Sequence, residues 1–169
     1  IGDAVDTSAE NLGYLVLTVV AQNDSAKERA LLEDLVSRMA EAIIITGDTA
    51  CKPELIEWLV KTGTPVVMIE RPRNVSGIDK ILFDNQEGSW QATRHLLAHG
   101  HHRIGFIGKI RDSNVENDRY DGYVNALKDA DIKLDQQLIR FIQYYSSGCG
   151  YKACRDIMTI PDPPTAIFA

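Results

Sequence analysis

The chain has 169 residues, of which 44% are apolar and 25% charged, an average globular composition that supports a real hydrophobic core and excludes a disordered tail. The 18 Lys and Arg against 24 Asp and Glu give a net charge of −6, the wrong sign for a surface that binds the phosphate backbone of DNA. No apolar run approaches the roughly 20 residues that a bilayer span requires, so we expect no membrane contact. The three cysteines cannot all pair and form no C-x-x-C motif, which favours a reduced, cytoplasmic setting.

The first half of the chain alternates helical periods with short apolar runs, a pattern typical of parallel strands joined by helical crossovers. A helix is predicted up to Leu12, and the continuously apolar run Tyr14–Val20 predicts a strand covered on both faces. Ser25 and Glu28 form a capping box that begins the next helix, which runs to Met39. The other elements predicted here are strand 42–46, a helix from Pro53 to Gly63, strand 66–69 and strand 81–83.

The second half continues the alternation and completes a prediction of seven strands and six helices. Its elements are helix 88–99, strand 104–107, helix 114–130, strand 138–143, helix 147–158 and strand 165–168. This order predicts an α/β fold with doubly wound parallel sheets, in which ligands bind beyond the carboxyl ends of the strands. Such a sheet normally opens on a strand, whereas this chain opens on a helix and closes on a strand, which indicates a fragment.

The sequence carries no complete catalytic or metal-binding motif. The sequence contains no G-x-x-x-x-G-K-[ST] loop, no H-E-x-x-H and no G-x-S-x-G, so no catalytic residue, and no cofactor, is predicted. His95 and His99 stand four residues apart, where a two-histidine metal clamp is geometrically possible. No cysteine or carboxylate falls at ligand spacing beside them, which favours a histidine-rich helix end near Gly100 and no metal.

Three motifs carry a resemblance to a known family. The segment from Asp84 to Gly108, DNQEGSWQATRHLLAHGHHRIGFIG, combines Asp-Asn, Gly, Ala, His-Leu, Gly-His and Arg-Ile in a fixed order. Further along, Arg119 to Tyr123 give Arg-x-x-Gly-Tyr, and the chain ends on Pro-Thr-Ala-Ile-Phe-Ala. Together these motifs resemble the effector-binding domain of the lactose and galactose repressor (LacI/GalR) family, over essentially the whole chain.

The resemblance implies a periplasmic-binding-protein-like type I fold of two doubly wound subdomains, truncated at both ends. It places the N-terminal subdomain, without its first strand, at residues 1–101 and the start of the C-terminal subdomain at residues 102–169. Operator DNA is then read by a helix-turn-helix headpiece that is missing here, not by this chain. The family's logic also implies a homodimer, with the helix from Ser25 to Met39 as a candidate interface.

The resemblance further implies that an effector binds in the cleft between the subdomains. Arg119 matches the family arginine that holds ligand oxygens, a role that suits its forked donors. A helix-surface ion pair with Glu116 or Asp118 is the alternative for Arg119. Glu70 stands where the family usually has Asp, one carbon shorter, and is expected to accept hydrogen bonds from ligand hydroxyl groups.

Three more residues complete the predicted ligand site. Tyr145 matches an aromatic that stacks on the ligand, although a plain core tyrosine is the alternative. Thr46 lies where the family often supplies a polar contact, although threonine is common in strands. Trp90 could border the cleft from the first turn of its helix, where a large aromatic is also common as packing.

The leading hypothesis is the sensory domain of a bacterial transcriptional repressor that binds a sugar or related small metabolite and so shifts the population of subdomain arrangements. The alternative is a periplasmic sugar-binding protein of a transporter, which shares the fold. The cysteine pattern and the Gly100-His101-x-Arg103-Ile104 motif favour the repressor. An enzyme is a third hypothesis, for which the sequence offers no paired nucleophile and base.

Overall fold

A computed structural model of the chain describes residues 2–21, 24–46, 53–70, 76–110, 114–143 and 145–169. Within these ranges the chain forms an α/β fold of six helices and six strands. The helices are α1 (Gly2–Asn11), α2 (Ser25–Ser37), α3 (Pro53–Thr62), α4 (Asn85–Ala98), α5 (Asn114–Asp129) and α6 (Ser147–Met158). The strands are β1 (Ile43–Thr46), β2 (Val66–Ile69), β3 (Asp79–Ile81), β4 (Ile104–Lys109), β5 (Ile139–Ile142) and β6 (Ala166–Phe168).

The strands form two three-stranded sheets. The first has the order β1-β2-β3 and the second the order β5-β4-β6. In the second sheet both pairs are parallel, and Phe106 of β4 lies opposite Ile139 on one side and Phe168 on the other. Parallel pairing brings the carboxyl ends of the three strands to one edge, beyond which the sequence analysis expects a ligand to bind.

The chain divides into two compact units. The first comprises Ile1–Met68 and Val75–Asp79, and the second comprises Ile69–Asn74 and Lys80–Ala169. Helix α4 therefore belongs to the second unit together with α5 and α6. The subdomain boundary that the sequence analysis places between residues 101 and 102 stays a prediction.

Each unit has its own hydrophobic core. In the first, α2 and α3 pack on β1 and β2 through buried side chains such as Leu32, Ile45, Ile56, Leu59 and Met68. These residues recur at helical spacing in α3 and alternate along β1, as the apolar pattern predicts.

The second core is centred on Phe106, whose ring centroid lies 5.1 Å from that of Tyr123 and 5.8 Å from that of Phe168. Tyr123 is fully buried and donates its hydroxyl hydrogen to the carbonyl oxygen of Ile104 at 2.9 Å. Burial raises the pKa of this phenol, because a tyrosinate would lose its solvation there. The hydrogen bond fixes α5 against β4.

Helices α4 and α5 approach each other closely at Gly122. A Cβ atom at Gly122 would overlap the carbonyl oxygen of Gln86 and would lie 2.9 Å from the backbone nitrogen of Trp90. Ser89, also on α4, donates its hydroxyl hydrogen to the carbonyl oxygen of Arg119. The glycine of the Arg-x-x-Gly-Tyr motif therefore allows the contact that sets the position of Arg119 relative to α4.

Most predicted elements are confirmed, with shifts at their ends that local hydrogen bonds explain. Helix α2 is capped by Asp24, whose carboxylate accepts from the backbone of Ala26 and Lys27, instead of by a capping box at Ser25. Helix α4 begins three residues before the predicted Gly88, because the carboxylate of Asp84 caps it through the backbone nitrogen of Glu87.

The prediction of a buried strand at Tyr14–Val20 is wrong. This segment joins neither sheet, and Leu15 is 97% and Leu17 62% exposed. An apolar run indicates that a segment favours burial, but a β-strand forms only where its backbone makes hydrogen bonds to a neighbouring strand. The described part of the chain pairs no neighbour with this run, so six strands form there and not seven.

Strand β3 also differs from the prediction, because it lies at Asp79–Ile81 instead of 81–83. The backbone nitrogen of Phe83 donates to the carboxylate of Glu70 and not to a neighbouring strand.

None of the helices in the described ranges has the length and apolar character needed to cross a membrane.

The close approach at Gly122 makes a stability prediction. Gly122→Ala places a methyl group against the backbone of α4 and should lower the free energy of unfolding by about 1–3 kcal/mol. Gly150→Ala in α6 is the matched control, since its Cβ meets no atom within 4 Å and alanine favours a helix by up to about 1 kcal/mol. Urea unfolding measures both, and equal stability of the two variants would contradict the predicted contact.

Candidate functional site

The site begins with Glu70, which follows the last residue of β2. Glu70 has a φ of 60°, a left-handed backbone conformation that costs a residue with a side chain about 1–2 kcal/mol. Its backbone nitrogen donates to the carbonyl oxygen of Ile81 at 3.0 Å. Its Oε1 accepts from the backbone nitrogen of Phe83 at 3.0 Å, so the main chain of Glu70 holds the end of β3 and its carboxylate holds the segment that follows.

Asn85, the first residue of α4, connects Glu70 to α5. Its Nδ2 donates to both carboxylate oxygens of Glu70, at 3.2 and 3.3 Å. Because the amide nitrogen of Asn85 faces Glu70, the amide oxygen Oδ1 faces α5, where it accepts from Nε of Arg119 at 3.1 Å. One amide side chain therefore links an acid and a guanidinium group that lie on separate elements.

Arg119 is held from a second side by Tyr145 and Glu116. Nη1 of Arg119 donates to the hydroxyl oxygen of Tyr145 at 3.2 Å and lies 3.9 Å from Oε1 of Glu116. The Tyr145 hydroxyl donates in turn to Oε1 of Glu116 at 2.6 Å, a short hydrogen bond to a carboxylate. The sequence analysis offered two roles for Arg119, a contact with a ligand or an ion pair with Glu116. The geometry allows both in the same conformation of the side chain.

Tyr145 presents its two ends to different surroundings. The residue is 61% exposed, whereas its hydroxyl group lies between Glu116 and Arg119. Burial of the hydroxyl end and the hydrogen bond to Glu116 raise the pKa of Tyr145 to about 12. The phenol therefore remains a neutral donor at any physiological pH, and its exposed ring is available for stacking.

These side chains border a cavity of about 440 Å³ in the second unit. The polar side chains that line it are Asp84, Asn85, Ser89, Glu116, Arg119 and Tyr145. Phe83, Ile107 and Phe168 supply an apolar wall at the carboxyl ends of β4 and β6 and beside α4. The volume and this mixture of apolar wall, paired donors and acceptors suit a small ligand with several hydroxyl groups.

The sequence matches a known protein family along its whole length. A protein-family profile described as "Periplasmic binding proteins and sugar binding domain of LacI family" matches residues 1–169. The chain belongs to this family. The match confirms the resemblance carried by the Asp84–Gly108 segment and by the Arg-x-x-Gly-Tyr motif.

Among curated relatives, the transcriptional repressor PurR of Pectobacterium carotovorum is 31% identical over 169 residues, which are 98% of this chain and 49% of that protein. The chain thus spans about half the length of the curated relatives it matches. CytR of Escherichia coli, described like PurR as an HTH-type transcriptional repressor, is 26% identical over 97% of this chain and 48% of its own length. These relatives are regulators of transcription.

A solved structure confirms the fold. The transcription regulator CcpA of Lactococcus lactis superposes with a TM-score of 0.84, at 24% identity, over 98% of this chain and 60% of that chain. At this identity the likeness shows the fold alone. The α/β, periplasmic-binding-protein-like architecture of the LacI family predicted from the sequence is therefore confirmed.

The structure brings together three of the five residues predicted for the ligand site. Glu70, Arg119 and Tyr145 are connected through Asn85 and Glu116, and Arg119 and Tyr145 line the cavity. Glu70 is not among the described residues that line the cavity. Its carboxylate instead accepts from the amide of Asn85, which does line the cavity. The ligand roles of these residues stay predictions.

The other two predicted residues lie elsewhere. Thr46 is the exposed last residue of β1 in the first unit. Trp90 donates from Nε1 to Asp129 at 2.8 Å, carries the guanidinium of Arg94 at 4.6 Å from its ring centroid, and lines a second cavity between α4 and α5. Their ligand roles also stay predictions.

Sequence reasoning did not select Asn85, Glu116 or Ser89 as site residues. The feature that could have identified Asn85 as a site residue is its place in the Asp-Asn pair of the family motif. Glu116 precedes Arg119 by one helical turn, a spacing that indicates only a surface ion pair, yet it is 2% exposed. Its hydrogen-bond donor, Tyr145, is distant in sequence.

The alternative of a metal clamp at His95 and His99 gains no further ligand from the structure. The two rings lie 4.3 Å apart, and Nδ1 of His99 is 2.8 Å from the carbonyl oxygen of His95. In the ranges that the structure describes, no three His, Cys, Asp or Glu side chains gather in an arrangement that could hold a metal ion. The contact with the carbonyl oxygen matches the structural role at the helix end.

The surroundings of Tyr145 predict a late tyrosine titration. The raised pKa means that the folded chain favours the neutral phenol, so this contribution to stability is present below about pH 10, the ordinary pKa of a phenol, and is lost as the pH rises towards 12. Ultraviolet difference titration of the native chain should contain a component near pH 12 that is missing from Tyr145→Phe. Glu116→Gln should move this component to lower pH. A Tyr145 component that titrates near pH 10 in the native chain would contradict the hydrogen bond.

Proposed function

We propose that this chain is the effector-binding part of a bacterial LacI-family transcriptional repressor, and that its effector is a sugar or a related small metabolite. The observation that carries the proposal is the cavity at the carboxyl ends of β4 and β6, where Arg119 is held by Asn85 and Tyr145. The network fixes a forked donor and several acceptors before any ligand arrives. A pre-organised polar group loses less entropy when it binds.

The chemistry of the cavity suits the hydroxyl groups and apolar face of a sugar. The guanidinium of Arg119 offers N–H donors, the carboxylate of Glu116 and the amide oxygen of Asn85 accept, and the exposed ring of Tyr145 can stack on C–H groups. Glu70 would then act as a positioning residue for Asn85. A regulator of the same fold from Lactobacillus casei was solved with bound glucose, at a TM-score of 0.81 and 19% identity.

The remaining parts of the proposal concern the whole protein. Operator DNA would be read by a helix-turn-helix outside this chain, in agreement with the net charge of −6 and with the HTH-type names of the curated relatives. We further propose a cytoplasmic homodimer without enzymatic activity. The curated relatives named above are repressors, which supports this function over a sugar-binding protein of a transporter.

Effector binding is tested by titration calorimetry of the chain with D-ribose, D-glucose, cytidine and hypoxanthine. We expect at least one of these to bind, and Arg119→Gln to weaken that binding by about tenfold to a hundredfold, because a hydrogen bond to a charged group is worth about 1.5–3 kcal/mol. The matched control is Arg29→Gln on α2, which removes an exposed ion pair with Glu33 in the first unit. Exposed pairs contribute about 0–1 kcal/mol to stability, so this variant should bind like the native chain.

Two outcomes would contradict the proposal. One is that neither sugars nor nucleosides nor bases bind the folded chain. The other is that Arg119→Gln and Arg29→Gln bind the ligand equally well, which would place the ligand away from the described cavity. Sedimentation velocity measures the proposed dimer separately.

A further inference from the structure

Glu116 is an unusual residue for its position. It lies in the first turn of α5, is 2% exposed and nevertheless lines the cavity. Carboxylates are among the side chains that proteins bury least often, and those that are buried are normally paired. Here the Tyr145 hydroxyl lies 2.6 Å and the Arg119 guanidinium 3.9 Å from the same oxygen of Glu116.

These contacts restrict which ligand groups can bind to the guanidinium of Arg119. Nε of Arg119 is directed to the Asn85 amide oxygen, and Nη1 is directed to the Tyr145 hydroxyl and the Glu116 carboxylate. A phosphate or carboxylate that approached Nη1 would therefore also approach Oε1 of Glu116. Two anionic groups at such distances repel each other, and the repulsion is stronger in a partly enclosed cavity than in water.

A neutral hydroxyl group meets no such repulsion. It can accept from the Arg119 guanidinium and donate to the Glu116 carboxylate at the same time, because a hydroxyl carries both a donor and acceptor lone pairs. An anion carries acceptors only. The pair of Arg119 and Glu116 therefore complements hydroxyl groups and opposes anions.

We propose that Glu116 is a specificity-determining residue which makes this cavity select uncharged, hydroxyl-bearing ligands over their phosphorylated or carboxylated counterparts. The inference rests on the proposed function and deepens it by naming the charge class of the effector. It predicts that replacing the carboxylate with its neutral isostere converts Arg119 into an anion-binding group.

The first test uses inorganic phosphate as a probe that needs no knowledge of the effector. Titration calorimetry should show that Glu116→Gln binds phosphate at least about tenfold more tightly than the native chain, because the negative charge 3.9 Å from Nη1 of Arg119 is gone, while Arg119 and the Asp84 carboxylate of the same cavity remain. The double variant Glu116→Gln with Arg119→Gln should lose this gain. Circular dichroism of each variant confirms that it is folded before titration.

One single variant serves as the control. Glu57→Gln removes an exposed carboxylate from α3 in the first unit and changes the net charge by the same amount as Glu116→Gln. It should bind phosphate as weakly as the native chain. Comparison with the native chain cancels the field of all other charged residues, including those outside the described ranges.

The second test compares matched ligand pairs, D-ribose with D-ribose 5-phosphate and D-glucose with D-glucose 6-phosphate and D-gluconate. In the native chain the neutral member of a binding pair should be preferred, and Glu116→Gln should shift the ratio of affinities towards the anion by about tenfold or more. A merely structural role of Glu116 would weaken both members alike and leave the ratio unchanged.

The outcomes separate this inference from the function on which it rests. Equal phosphate binding by native chain and Glu116→Gln, a gain that persists without Arg119, or a native preference for the anionic sugar would overturn the specificity role of Glu116. Each of these results leaves effector binding intact. Conversely, a phosphate gain in Glu116→Gln without binding by any sugar, nucleoside or base would support the role of the charge and contradict the proposed effector.

Discussion

The arrangement of the second unit depends on how the guanidinium of Arg119 is held. Its Nε reaches Asn85 at 3.1 Å and its Nη1 reaches Tyr145 at 3.2 Å, so the planar group is fixed from two sides. Through these contacts it connects the start of α4, the first half of α5 and the segment before α6. A long, rotamer-rich side chain that is free in solution is thereby given one orientation.

This orientation needs a fixed distance between α4 and α5, and backbone packing supplies it. Gly122 lets the backbone of α5 approach Gln86 and Trp90 of α4, and Ser89 donates to the carbonyl oxygen of Arg119 itself. The hydrogen bond from Tyr123 to Ile104 then places α5 on the central strand of the sheet. The motif Arg-x-x-Gly-Tyr thus combines one group that faces the cavity with two that position its helix.

Two carboxylates of the hydrogen-bond network around Arg119 also have different roles. Glu70 holds Asn85 and the backbone of Phe83, while Glu116 holds Tyr145 and faces Arg119. The left-handed conformation of Glu70 turns the chain at the end of β2 so that both contacts are possible. In a cavity built from donors and acceptors that already satisfy one another, a neutral polar ligand would bind by exchanging hydrogen bonds, at little electrostatic cost.

The amino-acid sequence alone determined the α/β fold, most helix and strand positions and the family, because apolar periodicity, caps and the motif at Asp84–Gly108 are local signals. It also singled out Glu70, Arg119 and Tyr145, which the structure links within one network. It failed at Tyr14–Val20, because a strand requires a hydrogen-bonded neighbour that composition does not reveal. Only the tertiary structure showed that Glu116 is buried and accepts from Tyr145, that Asn85 joins Glu70 to Arg119, and that Trp90 lines a different cavity. Each of these contacts joins residues that are far apart in the chain or on different elements, and packing, not spacing along the sequence, decides which of them meet.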